Sequence, residues 1–241
     1  MKSLCRRCFV FAVAMWAVQA YANDVTVTAR VAWKEDKGHS VAGNNLGNVV
    51  LWLVPLGSAS QPVALIPRGT PRLVQRNKSF EPHIQVVPVG SVVEFPNRDP
   101  FFHNVFSLFE GKRFDLGLYE AGTAKGVRFD KAGISYIFCN IHPEMSAVVI
   151  ALPTPYFGVS DRRGQIVVEH VPSGRYALHL WYEAALAEEI TAMTRQILVS
   201  ENSSTLGVLR LTRTAAPQNH KNKYGKDYDP PAPDSPAYPR P

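Results

Sequence analysis

The sequence is poor in cysteine. It has three in 241 residues, and two of them, Cys5 and Cys8, fall in a stretch laid out like an export signal. Lys2, Arg6 and Arg7 open that stretch, an apolar run follows from Cys8 to Val18, and the small residues of Ala20-Tyr21-Ala22 place cleavage after Ala22. The pair Arg6-Arg7 ahead of Phe9 loosely resembles a twin-arginine signal, a pattern that ordinary export signals share. The mature chain then keeps Cys139 alone, which excludes an internal disulfide and leaves an unpaired thiol in an oxidising compartment to be explained. After the leader, no apolar run reaches the roughly 20 residues that span a bilayer, so a soluble, periplasmic protein is expected. Strong charge is missing too. Taking Lys2, Arg6 and Arg7 from the 26 basic residues leaves 23 against 20 acidic ones, a net +3 and no electrostatic footprint for nucleic acid.

What the chain does have is β-favouring runs cut by turn residues. DVTVTARVAW, NVVLWLVPL, HIQVVPVGSVVEF, GVRF, ISYIFC and SAVVIAL are short and rich in Val, Ile and aromatics, and Gly, Pro, Asn or Lys separates them. That spacing predicts an all-β sandwich or barrel. Pro153 and Pro155 suggest a hinge, after which FGVSDRRGQIVVEHVPSGRYALHLWYE opens a second β pattern with turn signals at Asp161 to Gly164 and Pro172 to Gly174. EAALAEEITAM reads as a short helix or a loop. From Ala215 on, the chain is rich in Pro, Lys, Asp and Asn without apolar periodicity, the signature of a disordered tail.

The chemistry gathers in FCNIHPEM, where Cys139, His142 and Met145 stand three residues apart. Cys139 closes one predicted strand and Met145 opens the next, with five residues between them. Pro143 fixes its own φ and biases His142 toward extended geometry, so this turn holds its shape without a metal. A fourth donor, His103, follows the proline-containing loop of FPNRDPFFHNVFS. Taken singly, each has a bland reading: Cys139 a small buried hydrophobe, Met145 a core filler, His103 and His142 hydrogen-bonded structural histidines. Together, two imidazoles, one thiolate and a weak thioether make the set associated with blue-copper electron-transfer sites, whereas zinc more often takes a fourth strong donor. From spacing alone, copper, another metal and no metal all stay open.

NRDPFFHNV followed by YIFCNIHPEMSAVVI resembles the cupredoxin family, and the short C-x-x-H-P-x-M loop is most similar to that of amicyanins. The resemblance covers roughly residues 80 to 152. It implies a Greek-key β-sandwich with one type 1 copper held by His103, Cys139, His142 and Met145, and an Asn104 that ties the two ligand loops together near the thiolate. It also implies that the edge of His142 reaches the surface among apolar residues. DRRGQIVVEHVPSGRYALHLW resembles carboxypeptidase regulatory-like domains, small transthyretin-like or Ig-like sandwiches. The two-part layout is similar to exported plastocyanin-like or methylamine-utilisation proteins. The expected organisation is therefore a leader at 1–22, a cupredoxin domain at 23–152 that includes both early strands, a second sandwich at 153–213 and a disordered tail at 214–241.

A closed shell of four protein donors leaves no open position for a substrate, and no H-x-H pair of the multicopper-oxidase kind occurs, so no enzymatic activity is expected. The expected function is single-electron transfer between protein redox partners. The alternative is a copper storage, delivery or adhesive module that exchanges electrons slowly. His83, just ahead of the strand leading to the first ligand loop, is a further candidate near the copper end, weighed against a plain strand-edge histidine. His170 and His179 read as structural or exposed.

Overall fold

The computed structural model describes residues 24–34, 45–57, 69–108, 111–214 and 220–228. The expected export signal at 1–22, with Cys5 and Cys8, and most of the tail lie outside these residues. Among the described residues no helix is long and apolar enough to cross a membrane.

The chain is mostly β. In order it forms β1 (Asp24–Trp33), β2 (Val50–Pro55), β3 (Val74–Arg76), β4 (Ser79–Glu81), β5 (Ile84–Pro88), β6 (Val92–Pro96), β7 (His103–Ser107) and β8 (Phe114–Tyr119). It continues through β9 (Ala124–Arg128), β10 (Gly133–Phe138), β11 (Ser146–Leu152), β12 (Phe157–Val159), β13 (Gln165–Pro172) and β14 (Gly174–Trp181). The helix α1 (Ala187–Met193), β15 (Arg195–Val199) and β16 (Thr205–Leu211) complete it. EAALAEEITAM thus resolves to one short helix. Asp161–Gly164 is the turn its residues suggested: Asp161 Oδ1 accepts the Arg163 and Gln165 N–H groups, and Gly164 sits at φ +81° with Val31 O only 2.7 Å from where a Cβ would be.

Residues 69–152 build one sandwich. A five-stranded sheet in the order β5-β11-β10-β7-β8 covers the β6-β9 and β3-β4 pairs. Leu73, Phe80, Phe95, Val105, Phe129, Ile137 and Val149 fill the space between, and Cys139 and Met145 belong to the same core. Ala147, Val149 and Ala151 of β11 face this core. The alternate residues Val148, Ile150 and Leu152 point the other way, into a seam with Val50, Ile84, Val86 and Trp181. SAVVIAL therefore reads as a continuous apolar run because both of its faces are buried. VLWLVP in β2 does so for the same reason, with Val50 and Trp52 at the seam and Leu51 and Leu53 in the next core.

The second unit differs from the expected division. β1 pairs antiparallel with β13, from Asp24↔Pro172 to Arg30↔Gln165, and parallel with β16. β2 lies between β12 and β14. The early strands thus belong with residues 153–213, not with 69–152. The physical reason is the inward row of β1, Val25, Val27, Ala29 and Val31, which closes a core with Ile166, Val168, Val171, Leu178 and Leu180. Two sheets, β13-β1-β16 and β12-β2-β14-β15, face each other across that core, and the second of them also packs on the five-stranded sheet through the seam.

The tail differs as well. Residues 220–228 are not loose but lie against the end of β10: the His220 ring stacks on Phe138 at 4.1 Å and Tyr228 Oη donates to Cys139 O at 2.7 Å.

Candidate metal centre

β7 begins at His103, and β10 delivers Cys139 immediately after its last residue, Phe138. The pairing Phe138↔Phe106 sets these strands side by side, so the first histidine and the cysteine meet at one end of the sandwich. Cys139 N–H donates to Met145 O at 3.3 Å and Met145 N–H to His142 O at 3.1 Å. These bonds close the turn on itself, as its proline suggested, and swing His142 back over the sulfur.

Three donors converge. Cys139 Sγ lies 3.5 Å from His142 Nδ1 and 3.8 Å from His103 Nδ1, and the two Nδ1 atoms are 3.1 Å apart. A triangle of these sides has its centre about 2.0 Å from every corner, the length of an imidazole–metal bond and a little under the roughly 2.3 Å of a thiolate–metal bond. His103, Cys139 and Met145 are 0% exposed and His142 is 6% exposed, so the site is dry apart from one histidine edge. Met145 is brought into the same core as Cys139.

The electrostatics suit a cation. Burial, then the neighbouring His103, pushes His142 down to about 4, so its imidazole is neutral at ordinary pH with a lone pair to offer. Burial also lowers His103, against the pull of Asp99. His103 Nε2 donates to Asp99 Oδ2 at 2.7 Å, which puts the ring proton on Nε2 and leaves Nδ1 facing the sulfur as an acceptor. Burial raises the Cys139 thiol, while the backbone N–H groups of Asn104, Ile141 and His142 work against it by offering bonds to a thiolate. Two neutral imidazoles and a buried thiol, with three backbone N–H groups placed to receive its thiolate, fit a soft or borderline metal ion.

Asp99 was not singled out in the sequence. Its carboxylate is buried, which costs it charge, yet the backbone N–H of Lys78, the His103 ring and the N–H of Asn77 hold it below its ordinary value. Asn97 shapes this loop by accepting the Asp99 N–H and donating to Phe101 O. Phe101 in turn packs against both ligand rings, at 5.2 Å from His103 and 5.6 Å from His142. Asp99→Ala frees the His103 ring and is expected to weaken metal binding roughly 10–100-fold, measured by competition with a chromophoric chelator. Unchanged affinity would show that Phe101 and packing alone orient the ring.

No family model and no curated protein matches the chain. Solved structures do. A purple cupredoxin from Nitrosopumilus maritimus aligns at 21% identity over 34% of this chain and 99% of its own, with a TM-score of 0.32. A copper-containing nitrite reductase from Thermus scotoductus SA-01 aligns at 25% identity over 41% of this chain and 25% of its own, at 0.34. The Cu(I) form of an amicyanin variant aligns at 20% identity over 42% of this chain and 99% of its own, at 0.33.

The other candidates separate. Asn104 does link the two ligand loops beside the sulfur, but through its backbone N–H; its side-chain Nδ2 turns away to Asp115 Oδ1 at 2.7 Å. His83 is not among the converging donors. Its Nδ1 bonds Ser146 O at 3.2 Å and its Nε2 meets Glu183 Oε2 at 2.6 Å, so it bridges the two units, and the bond to Glu183 raises it above its ordinary value. His179 stacks on Trp52 and His170 is exposed near Asp24.

Proposed function

We propose that this chain is an exported, periplasmic type 1 copper protein of the cupredoxin kind that carries single electrons between protein redox partners. The observation that carries it is the convergence of His103 Nδ1, Cys139 Sγ and His142 Nδ1 in a buried pocket, with Met145 in the same core. Soft sulfur selects copper over hard cations, and imidazole suits either copper oxidation state. A bound copper supplies the one-electron couple; the chain supplies a fixed cage. Asp99 holds His103, the Cys139–Met145 turn holds itself, and Phe101 braces both rings, so the donors have little to rearrange when the charge changes. The closed, dry donor set favours a carrier over an enzyme.

The test is redox cycling of the copper-loaded protein, followed by its visible and electron paramagnetic resonance spectra and by stopped-flow self-exchange. Rapid exchange supports the carrier. A copper form that is bound tightly but reduced and reoxidised only slowly supports storage or delivery instead.

Electron transfer through this site runs by way of His142, whose edge is the part that reaches solvent. Beside it in the chain Ile141 is 38% exposed, and the Phe101 ring lies 5.6 Å from the His142 ring, apolar neighbours on a mature chain of small net charge. Ile141→Glu is expected to leave the copper spectrum intact while slowing self-exchange by at least about tenfold, the equivalent of about 1.4 kcal/mol. Exchange in the parent should depend only weakly on salt. A rate that collapses with added salt would make docking electrostatic and move the contact elsewhere.

A further inference from the structure

The segment 220–228 is a folded turn with its own internal logic. Asn222 Oδ1 accepts the Tyr224 and Lys226 N–H groups at 2.9 and 3.1 Å, Asn222 N–H donates to Lys226 O, and Gly225 supplies the positive φ of 74°. Closing this turn brings its two ends together, so that Tyr228 Oη lies 3.2 Å from His220 Nδ1 with the rings edge to face.

The closed turn grips the metal centre from outside at separate points. His220 lays its ring on Phe138, the residue before Cys139. Tyr228 Oη donates to the Cys139 carbonyl, whose peptide fixes the direction of Sγ. Lys223 N–H donates to Asn140 Oδ1 at 2.9 Å, and Lys223 Nζ meets Asp115 Oδ2 at 2.9 Å. Asp115 Oδ1 is the partner of Asn104 Nδ2, next to His103. One short segment thereby joins the strand that carries the first histidine to the loop that carries the cysteine and the second.

We infer that residues 220–228 are a C-terminal strap that positions Cys139 and shields it, with His220, Lys223 and Tyr228 as positioning residues of the metal centre. None of the three belongs to a buried core, so the strap acts on the loop and not on the fold. The inference rests on the metal reading above, but its first test does not need the metal. In the full-length, metal-free protein, the triple variant His220→Ala/Lys223→Ala/Tyr228→Phe is expected to lose the loop's outer tethers. Alkylation of Cys139 by iodoacetamide should then run at least about tenfold faster, because the buried thiol is reached through local opening of the loop. The main thermal unfolding midpoint should stay within a few degrees of the parent's. His220→Phe keeps a ring on Phe138 and should react more slowly than His220→Ala.

A triple variant that reacts at the parent's rate, or reacts faster only because the whole fold has loosened, overturns the strap. In the copper-loaded protein, Tyr228→Phe alone should shift the thiolate charge-transfer band and the copper hyperfine splitting. An unmoved band with unmoved splitting overturns the positioning role. A parent protein that never colours with copper sinks the copper reading and leaves the alkylation comparison intact.

Discussion

Cys139→Ser should leave a protein that is colourless with copper, where the parent should be intensely coloured. The colour of such a site comes from charge transfer between thiolate sulfur and oxidised copper, and Cys139 is the one cysteine among the described residues. Serine is close in shape and keeps the turn, since the bonds Cys139 N–H to Met145 O and Tyr228 Oη to Cys139 O are made by the backbone at that position. A hydroxyl in this dry pocket costs about 1–3 kcal/mol, which leaves the fold standing and lets the loss of colour be read as a loss of ligand. The measurement is the visible spectrum of protein loaded with one equivalent of copper(II), beside a far-ultraviolet circular dichroism spectrum to show that the fold persists. A serine variant that keeps the band would mean that the sulfur seen here is not the ligand.

The second large effect concerns where the chain is cut. A fragment of residues 23–152 holds every proposed ligand, yet it is expected not to fold as one unit. Every strand partner of β1 and β2 lies between Phe157 and Leu211. Without them Val25, Val27, Val31, Leu51 and Leu53, all at 1% exposure or below except Val25, would face water, and the seam would lose Trp181 and Phe157. Each large apolar side chain returned to water costs about 1.5–3 kcal/mol, so these together match the whole stability of an ordinary domain, about 5–15 kcal/mol. Hydrogen exchange should find no protected amides across residues 24–55 of the fragment, and residues 153–214 added as a second chain should restore them. Protection at Val27 and Leu51 in the isolated fragment would show that the early strands have a partner within residues 69–152 after all.

The part of the candidate site that was legible is the part whose information is local. Cys139, His142 and Met145 lie on one turn, so their spacing shows them near one another, whereas His103, a candidate from the separate stretch FPNRDPFFHNVFS, reaches them by the pairing of β7 with β10. Asp99 was not legible: its role depends on a loop that folds back through Asn97 and on backbone N–H groups from Asn77 and Lys78, none of which leaves a periodic trace. The alternation in DVTVTARVAW showed which face of β1 is buried but carries nothing about what covers it, and nearness in sequence suggested the wrong cover. The strap escaped for a related reason. Composition averages over many residues, whereas His220, Lys223 and Tyr228 act one at a time, and a segment without apolar periodicity can still be ordered by a turn and a few directed bonds.

The interleaving of the two units also sets an order of events during synthesis. β1 is made before its partners and has nothing to pair with until β13 and β16 follow, while β3 to β11 meet their partners within a much shorter stretch of chain. Because nearby contacts close sooner than distant ones, the metal-bearing sandwich is expected to assemble as a guest in the middle of the chain. The host then closes around it, with β1 meeting β13 and β16 last. Exposed β1, with its inward row Val25, Val27, Ala29 and Val31 uncovered, is the vulnerable element in that interval.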